Sequence, residues 1–462
     1  MKIFRRVLSV VLASVLALSV GIIPPKSTVT TDAKVKIIEG KKLNITIGKK
    51  GEIIVKGKAK AKVASKKIAK VTKTKKQGKY TLIYVKGKKV GKTSVKVKVG
   101  KKSKKVKVSV VPANTSLKSA TLTADTTAKL TWGKAKGASG YYVYRSTSYS
   151  SGYKKIATVK GGSKTSYTNT GLSLGVTYYY KVRTYGAKSL KSKEDSAVKK
   201  VKTWKLTWSD EFNGTELDTT KWNNEGATGD GGYGNQELQN YQMEYSEVND
   251  GCFIIKPQFD YNAATGECVD KRYFSTKIWT KGQHYFGYGK FEFRAKMPKG
   301  CGTWAAGWML GKNMNWPYCG EIDVFETTKQ PEKTKIPMSV HTGKFNGMPT
   351  SKGNKYGNAI VPTATTAFHT YTVIRNEKTL DFYVDGKYIW TYDPSMYTTQ
   401  GDGTDDYMIW PFNQDMYLIL NCAIGGTLGG DVAPTYWTKI ATSGNIETYQ
   451  DKMYVDYVRY YK

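Results

Sequence analysis

Three carboxylic acids, Glu321, Asp323 and Glu326, lie among apolar residues in the short sequence CGEIDVFE. Side chains two residues apart leave a β-strand on the same face, so Glu321 and Asp323 share a face, whereas an odd offset sends Glu326 to the other. One extra residue bulged out around Val324 or Phe325 would return Glu326 to the first face. Because like charges at short range resist simultaneous ionisation, a fold has little structural reason to keep this cluster. Glycoside hydrolysis does have a reason, since it uses one carboxylate as nucleophile and one carboxylic acid as proton donor.

The surroundings of the acids favour a buried strand. The apolar residues between the acids argue against a solvated acidic loop. Upstream, Trp304 and Trp308 lie beside small residues in the sequence GTWAAGWML. Flat aromatic faces suit the apolar faces of sugar rings, but both tryptophans could also be core residues, Trp308 in particular.

A β-rich scaffold must position these residues. The chain has 462 residues, 34 of them Tyr and 46 Gly, and it lacks long apolar helical stripes. This composition is typical of many short strands joined by turns. A chain of this length is expected to form about two to four domains.

The positive charge belongs to the N-terminal part of the chain alone. Residues 1–204 contain 49 Lys and Arg against 6 Asp and Glu, whereas residues 205–462 contain 25 against 30. The net charge of +38 therefore does not indicate nucleic-acid binding by the part that carries the three acids.

The N-terminus has the pattern of an export signal. Lys2, Arg5 and Arg6 precede an apolar run over residues 7–23, which Pro24 and Pro25 end. We expect residues 1–33 to be a signal peptide and leader, and the protein to be extracellular, either secreted or associated with the cell surface. Contact with a membrane is expected only if the signal stays uncleaved as an anchor.

The cysteines and histidines do not predict a metal centre. In an exported protein one or two disulfides could form, but an odd number of cysteines leaves at least one thiol unpaired within the chain. Their spacing matches no zinc pattern, and only three histidines are present. The cysteines are Cys252, Cys268, Cys301, Cys319 and Cys422.

Residues 34–112 form a lysine-rich segment in which Lys and Val alternate, as in SVKVKV at 94–99. This period indicates half-buried strands with Val inward and Lys outward. Residues 31–110 contain 28 lysines and three acids. Short sequences such as SKKIAKV at 65–71 resemble the bacterial group 2 immunoglobulin-like modules of surface proteins.

The lysines of this segment have two interpretations. They could bind an anionic cell wall or an acidic polysaccharide through charge. Alternatively, they could keep a spacer domain soluble and discourage the pairing of edge strands. They are not interleaved with a platform of aromatic residues on which bases could stack, so a nucleic-acid partner is not expected.

Residues 113–203 resemble a fibronectin type III domain. The resemblance rests on the sequence LTW at 130–132, on GYYVYR at 140–145 and on GLSLGVTYYYKVR at 171–183. It implies a β-sandwich with Trp132 in the core and Tyr178 as the corner tyrosine. We expect this domain to be a spacer.

Residues 204–462 resemble glycoside hydrolase family 16, in its laminarinase-like branch that acts on β-1,3-glucans. The six-residue form Glu-x-Asp-x-x-Glu marks the bulged branch of that family. The other matching motifs, in chain order, are WSDEFNG at 208–214, GNQELQ at 234–239, YGKFE at 288–292, FYVDG at 382–386 and YVDYVR at 454–459.

The resemblance implies an all-β chain whose C-terminal domain is a jelly-roll sandwich of the concanavalin A-like type. It makes Glu321 the nucleophile, Glu326 the acid/base and Asp323 the assisting carboxylate of a retaining endo-β-1,3-glucanase that uses no catalytic cofactor. The residues that it implies for substrate binding are Asn235, Trp304, Trp308, His341, Gln414 and Asn421. For His341 a purely structural role is an equal alternative.

Two further implications concern Lys277 and calcium. Relatives often carry arginine at the position of Lys277, and lysine cannot make the same forked contact, which leaves subsite preference open. The family also implies a structural calcium held by Glu211, the backbone of Gly251 and Asp456, whose oxygen donors suit a hard cation. For Asp456 alone, an ordinary acid at the surface or the edge of the core is an alternative.

The expected substrate and partner are a β-glucan polysaccharide and, through the lysine-rich module, an anionic cell wall; the protein is expected to be a monomer. Three alternatives remain open at this stage. The enzyme could cleave mixed-linkage β-1,3-1,4-glucan or an algal galactan, it could transfer glycosyl groups to other sugars, or the chain could be a non-catalytic carbohydrate-binding adhesin.

Overall fold

The computed structural model describes residues 34–224, 226, 232–329, 334–397 and 406–462. By contact density the chain forms two compact units. The first contains residues up to Thr121, Lys129–Asn169 and Tyr178–Lys200, and the second contains Leu122–Ala128, Thr170–Thr177 and Val201–Lys462. The predicted export signal and leader lie outside the described residues.

The described chain is all-β, as predicted. Strands are numbered β1 to β35 along the sequence, and in the described residues they form seven sheets. The helical segments among them are short: Ala187–Ser189, Gly232–Gly234, Met243–Tyr245, Pro394–Met396, Asp406–Ile409 and Gly426–Gly429. None of the helices in the described part of the chain has the length and apolar character needed to cross a lipid bilayer.

The lysine-rich segment forms two four-stranded sheets that share one core. The first sheet, in spatial order, consists of β1 (Ile37–Glu39), β3 (Lys50–Lys56), β6 (Tyr80–Gly87) and β5 (Ala69–Gln77). The second consists of β2 (Lys42–Thr46), β8 (Lys102–Val111), β7 (Gly91–Val99) and β4 (Ala59–Val63). The alternating valines, Val95 and Val106 among them, are fully buried against Ile53 and Ile83 of the first sheet. The predicted inward position of Val is therefore confirmed.

Residues 117–202 form two further sheets. One consists of β13 (Ser166–Asn169), β10 (Thr127–Trp132) and β9 (Leu117–Ala124). The other consists of β12 (Lys154–Lys160), β11 (Gly140–Ser146), β14 (Thr177–Tyr185) and β15 (Lys199–Lys202). Trp132 is buried and its ring lies 5.3 Å from that of Tyr141, as expected of a core residue. The resemblances to immunoglobulin-like and fibronectin type III modules stay predictions.

The C-terminal region contains a large sandwich. Its eight-stranded sheet consists of β19 (Ser246–Asn249), β20 (Cys252–Ile255), β35 (Met453–Tyr461), β24 (Gly289–Lys296), β29 (His369–Arg375), β30 (Leu380–Val384) and β31 (Lys387–Tyr392), with β16 (Leu206–Asp210) paired to β35. Its seven-stranded sheet consists of β17 (Asn223–Asn224), β23 (Lys277–Trp279), β32 (Met416–Ile424), β25 (Thr303–Gly311), β26 (Glu321–Glu326), β27 (Lys335–His341) and β28 (Lys355–Ile360).

These two sheets stack on one apolar core. Phe291 and Val455 of the eight-stranded sheet and Met309, Ile322 and Leu420 of the seven-stranded sheet are all fully buried in it. A smaller sheet completes the region, with β18 (Asn240–Tyr241), β22 (Glu267–Ser275), β21 (Gln258–Asn262), β34 (Ile446–Gln450) and β33 (Thr438–Ser443). All five cysteines are free thiols. Because one face of the seven-stranded sheet covers the core, its other face is available for a site.

Candidate active site

Strand β26 contains a β-bulge at the position where the three acids require one. In its pairing with β25, Gly307 lies opposite Phe325 and Trp308 lies opposite Asp323, so that Val324 has no partner. An unpaired residue shifts the alternation of side chains by one. The predicted bulge is confirmed, and it places Glu326 on the same face of the sheet as Glu321 and Asp323.

The apolar residues between the acids anchor the bulge. Ile322, Val324 and Phe325 are fully buried in the sandwich core. Gly307 makes room for the ring of Phe325, because a Cβ atom at position 307 would lie 2.3 Å from that ring. Burying each of these side chains stabilises the fold by about 1.5–3 kcal/mol. The core therefore holds the strand in a register that turns the acids away from it.

The three acids line one cleft of about 240 Å³ on the outer face of the seven-stranded sheet. The sheet supplies most of this lining, and β18 with the loop before it supplies the rest. The lining residues are Tyr233, Asn235, Glu237, Tyr241, Lys277, Trp304, Ala306, Trp308, Glu321, Asp323, Glu326 and Asn421.

Glu326 is set up to keep a proton. Its carboxyl group accepts hydrogen bonds from Trp304 Nε1 at 3.0 Å and from Ser339 Oγ at 3.4 Å. Burial, and then the negative charges of Asp323 and Glu321, raise the pKa of Glu326 well above its usual range. A protonated carboxylic acid is the form that can donate to a leaving oxygen.

Asp323 lies between the two glutamates and is 2% exposed. Burial, then the charge of Glu321 and a hydrogen bond to Glu321, raise the pKa of Asp323 well above its usual range. Glu321 itself accepts a hydrogen bond of 2.5 Å from Trp316 Nε1. A carboxyl oxygen of Glu321, a carboxyl oxygen of Asp323 and a ring nitrogen of His341 all lie within 4.8 Å of one another. These contacts make Asp323 a proton-bearing neighbour of Glu321.

His341 belongs to the edge of this cluster. It lies opposite Glu321 in the pairing of β26 with β27. Its Nε2 atom lies 3.5 Å from Asp323 Oδ2 and 3.4 Å from Asn354 Nδ2. Its ring centroid is 6.2 Å from that of Trp316. The structure therefore places His341 against the acids, in a position to orient Asp323.

A polar network that the sequence did not reveal supports the opposite side of the cleft. Trp308 Nε1 donates to Asn421 Oδ1 at 2.8 Å, and Asn421 Nδ2 donates to the hydroxyl of Tyr241 at 2.9 Å. Glu237 accepts hydrogen bonds from Asn235 at 3.1 Å and from Tyr241 at 3.5 Å. The network fixes the edge of the Trp308 ring, so that its orientation in the cleft is set before a ligand arrives.

Glu237 is a fourth carboxyl group in the cleft. Burial raises its pKa, against hydrogen bonds from Asn235 and Gln239 and the charge of Lys277. In the sequence, Glu237 stands two residues after Asn235, which was predicted to bind substrate. Because both residues lie in the loop before β18 and not in a strand, alternation along the sequence could not have placed Glu237 in the cleft.

Lys277 lies among aromatic rings of the cleft. Its ammonium group is 5.3 Å from the ring centroid of Trp279, 5.6 Å from that of Trp308 and 5.8 Å from those of Tyr233 and Tyr241. Contacts of this kind hold a cation over the ring faces. Lys277, which stands where the resemblance leads us to expect arginine, therefore lines the cleft.

Gln414, a predicted substrate-binding residue, does not line the cleft, and His341 lies only at the edge of the acid cluster. Its amide nitrogen donates to the carbonyl oxygens of Cys319 and Pro411 at 3.0 Å, and its oxygen accepts from the backbone of Asn313 at 2.7 Å. Gln414 therefore ties the loops before β26 and β32 together.

Two of the predicted calcium donors, Glu211 and Asp456, form ion pairs with arginine. The carboxylate of Glu211 makes a forked pair with Arg459, at 2.9 and 2.7 Å. The carboxylate of Asp456 pairs with Arg294. Gly251 lies in the turn before β20, with φ of +69°. Since both carboxylates are neutralised by guanidinium groups, the calcium site stays a prediction.

The chain is similar to known glycoside hydrolases. Residues 234–457 match the family described as glycosyl hydrolases family 16. The "Beta-glucanase" of Rhodothermus marinus is 34% identical over 272 residues, which are 56% of this chain and 85% of that protein. The "Glucan endo-1,3-beta-glucosidase A1" of Niallia circulans is 36% identical over 276 residues, which are 56% of this chain and 38% of that protein.

A solved structure is similar over the same region. The crystal structure of laminarinase from Flavobacterium sp. UMI-01 has 33% sequence identity and a TM-score of 0.45. The match covers 56% of this chain and 100% of that chain.

Proposed function

The chain belongs to glycosyl hydrolases family 16 and is a glycoside hydrolase, and we propose that it is a retaining endo-β-1,3-glucanase acting on laminarin-type glucan. The observation that carries the proposal is the bulge at Val324, which puts Glu321, Asp323 and Glu326 on one face of a cleft. The similarity to a β-glucanase supports a β-glucan substrate, and the similarity to a glucan endo-1,3-β-glucosidase supports the β-1,3 linkage.

The first chemical step uses Glu321 and Glu326 together. A carboxylate oxygen of Glu321 attacks the anomeric carbon, while the protonated Glu326 gives its proton to the glycosidic oxygen as that bond breaks. Retaining glycosidases hold these two carboxyl groups about 5–5.5 Å apart, whereas inverting ones leave a wider gap for water. The proposal requires the shorter separation between Glu321 and Glu326, whose side chains share one face on either side of Asp323. The product of this step is a glycosyl ester on Glu321.

The second step reverses the roles. Glu326, now ionised, takes a proton from a water molecule, whose oxygen attacks the anomeric carbon and releases Glu321. Asp323 assists both steps through its hydrogen bond to Glu321, because a proton on Asp323 stabilises the carboxylate whenever it is free. The configuration at the anomeric carbon is inverted twice and therefore retained.

The tryptophans supply the sugar platform in this proposal. Trp304 donates a hydrogen bond to Glu326, and Trp308 donates one to Asn421. Their ring edges are thus held by the cleft itself, which leaves the ring faces for the apolar faces of sugars. Both residues line the cleft.

The test is a product analysis on laminarin, barley mixed-linkage glucan and agarose. We expect released reducing ends from laminarin, and a β-anomer as the first product by NMR. Activity on agarose without activity on laminarin would overturn the substrate, and an α-anomer as first product would overturn the retaining mechanism.

Glu321→Gln is the control that separates an enzyme from a binding protein. The amide has nearly the shape of the carboxylate but cannot attack, so the variant should bind oligosaccharides and release almost no sugar. If wild type and Glu321→Gln released sugar at the same background rate, the non-catalytic alternative would be correct.

We also propose that the protein acts outside the cell. The proposal rests on the export pattern of residues 1–33. N-terminal sequencing of the protein recovered from culture medium and from the cell fraction tests it. Recovery of all activity from the cytosol, with Met1 retained, would contradict it.

A further inference from the structure

We propose that one sheet face of the lysine-rich module binds a linear phosphodiester polymer of a cell wall. The face, here named the lysine face, is the outward side of the sheet β2-β8-β7-β4. Eight exposed lysines point from it: Lys42, Lys60, Lys62, Lys92, Lys96, Lys98, Lys105 and Lys107.

The strand register places these lysines directly opposite one another. Lys96 lies opposite Lys62 on one side and opposite Lys105 on the other. Lys60 lies opposite Lys98, and Lys42 lies opposite Lys107. Directly opposed residues have Cβ atoms about 4.5–5.5 Å apart, and like charges at that distance are destabilising. The fold therefore keeps an arrangement that its own stability disfavours.

Protection of sheet edges does not explain this arrangement. The edge strands of the sheet are β2 and β4, whereas β7 and β8 are central. Five of the eight lysines belong to the two central strands. Edge protection requires charges only on strands with unpaired backbone groups. The lysines of β7 and β8 thus need another reason.

The face has no acidic residue to balance the lysines. Its remaining outward positions are Asn44, Ser94, Ser103 and Ser109. The two acids within residues 34–111, Glu39 and Glu52, lie on β1 and β3 of the other sheet. A surface of one sign, with hydroxyl and amide groups between the charges, is complementary to a polyanion.

The basic residues of the module bind anions as point charges. Residues 34–111 contain lysine and no arginine. Arginine makes forked contacts with carboxylate and phosphate alike, whereas lysine binds a phosphate group through charge alone, so a polymer with a phosphate charge in every repeat suits this face. The lysine face also carries no aromatic side chain on which nucleic-acid bases could stack.

The geometry suits an extended chain. Outward positions repeat about every 4.8 Å across the strands and about every 6.8 Å along them. Lysines occupy most of these positions, with serine or asparagine at the others, so a flexible polymer meets several charges in either direction. Because the same chain carries a glycoside hydrolase domain, the polymer is expected on a polysaccharide-bearing surface. The lysine face would hold the enzyme there through charge, without selecting a particular sugar.

The experiment measures binding of the full chain to Gram-positive cell-wall sacculi, before and after removal of their phosphodiester polymers with hydrofluoric acid. We expect binding to the untreated sacculi and at least tenfold weaker binding to the stripped ones. If about five lysines release counterions, affinity should fall about 100-fold between 50 and 200 mM salt. Equal binding to both kinds of sacculi, or no salt dependence, would overturn the proposal.

A matched pair of variants separates the face from the overall charge. The triple variant Lys62→Gln, Lys96→Gln, Lys105→Gln removes one row of the face. The control Lys73→Gln, Lys75→Gln, Lys76→Gln removes the same charge from exposed positions of β5, in the other sheet. We expect at least a tenfold loss of wall binding in the first and less than a twofold loss in the second. Equal losses would overturn the proposal.

Two further measurements keep the result interpretable. The first triple variant should unfold at an equal or higher temperature than the wild type, because like charges are separated, and its hydrolysis of soluble laminarin should not change. Tighter binding of the wild type to duplex DNA than to the wall polymer would overturn the assignment of the partner.

Discussion

Glu326 occupies the most demanding position in the cleft, because it is buried beside two other carboxyl groups. Its hydrogen-bond donors, Trp304 and Ser339, come from the two strands on either side. They satisfy both carboxyl oxygens but do not supply a positive charge. The high proton affinity of Glu326 therefore comes from burial and from the neighbouring acids. The same burial lowers the free energy of unfolding of the protein whenever Glu326 is ionised.

This trade-off predicts that Glu326→Gln stabilises the protein above the ordinary glutamate pKa of about 4.3. The unfolded chain loses the proton at that pH, whereas the folded chain keeps it to a higher pH. Stability of the wild type must therefore fall as the pH rises through the window between the two pKa values. The glutamine has no proton to lose, so the difference in unfolding temperature should widen across that window, while activity falls about 10²–10⁴-fold.

Thermal unfolding of both proteins at a series of pH values measures this difference. Glu377→Gln, at an exposed position outside the cleft, is the matched control and should show no such widening. If the difference in unfolding temperature between Glu326→Gln and the wild type narrowed as the pH rises, burial and the neighbouring acids would not be the cause of the raised pKa of Glu326.

At the scale of the secondary-structure element, the bulge in β26 decides which acids meet. Deleting Val324 should leave a regular strand in which Phe325 still faces Gly307 and Glu326 still faces Ala306. The two glutamates would then stand four residues apart, on the same face. We expect a folded protein with measurable activity, destabilised by about 1.5–3 kcal/mol through loss of a buried valine.

The comparison is a deletion of Ile322, which has partners on both sides, Met309 and Val340. Removing a paired residue turns Glu321 to the core side and should abolish activity or folding. Denaturant unfolding and laminarin hydrolysis measure both variants. If deletion of Val324 lowered stability and activity more than deletion of Ile322, Val324 would not be the unpaired residue that brings Glu326 to the face of the other two acids.

The sheet register also extends the cleft beyond its known lining. Asp323 lies opposite Ser339, and Ser339 lies opposite Tyr356 of the edge strand β28. Tyr356 is 59% exposed, and two strand spacings put it about 10 Å from Asp323. A glucan that crosses the strands along this row would reach the ring of Tyr356.

Tyr356→Ala should therefore lower kcat/KM on long laminarin about 5- to 30-fold, as loss of about 1–2 kcal/mol of ring contact implies, with little change on a trisaccharide. Tyr356→Phe should retain most of the activity on both. Tyr388→Ala, at another exposed tyrosine in the eight-stranded sheet, is the control. An equal loss on long and short substrates would show that Tyr356 does not bind the distant part of the chain.

At the scale of the whole molecule, the chain divides its charge and its chemistry between different regions. The cleft belongs to the second compact unit and the lysine face to the first. Each unit has its own apolar core. Separate cores allow separate unfolding transitions.

Scanning calorimetry of the Glu321→Gln variant should therefore show more than one transition. A laminari-oligosaccharide at 100 times its Kd stabilises the unit that binds it by about 2.7 kcal/mol, or about 5–10 °C for a unit of this size. Only the transition of the unit with the cleft should move. A common shift of all transitions, or no shift at saturation, would contradict the placement of the glucan site.

Sequence alone determined the chemistry of the site, because alternation along one strand is a local property. The spacing of Glu321, Asp323 and Glu326 predicted that they would share a face through a bulge around Val324 or Phe325, and the strand pairing places it at Val324. The Lys/Val alternation predicted an inward valine face in the same way. In each case the decisive residues are neighbours in the chain, so their relation does not depend on which strands pair.

Only the tertiary structure decided which distant residues complete the cleft. Asn421 meets Trp308 because β25 pairs with β32, more than a hundred residues away in the chain, and the hydroxyl of Tyr241 extends this network to Glu237. Gln414 instead holds the loops before β26 and β32. The pairing of β35 with β16 and with β24 brings arginine partners to Glu211 and Asp456. Which lysines oppose one another likewise depends on the register between strands. Register between strands is set by the packing of the whole core, and a local pattern does not contain that information.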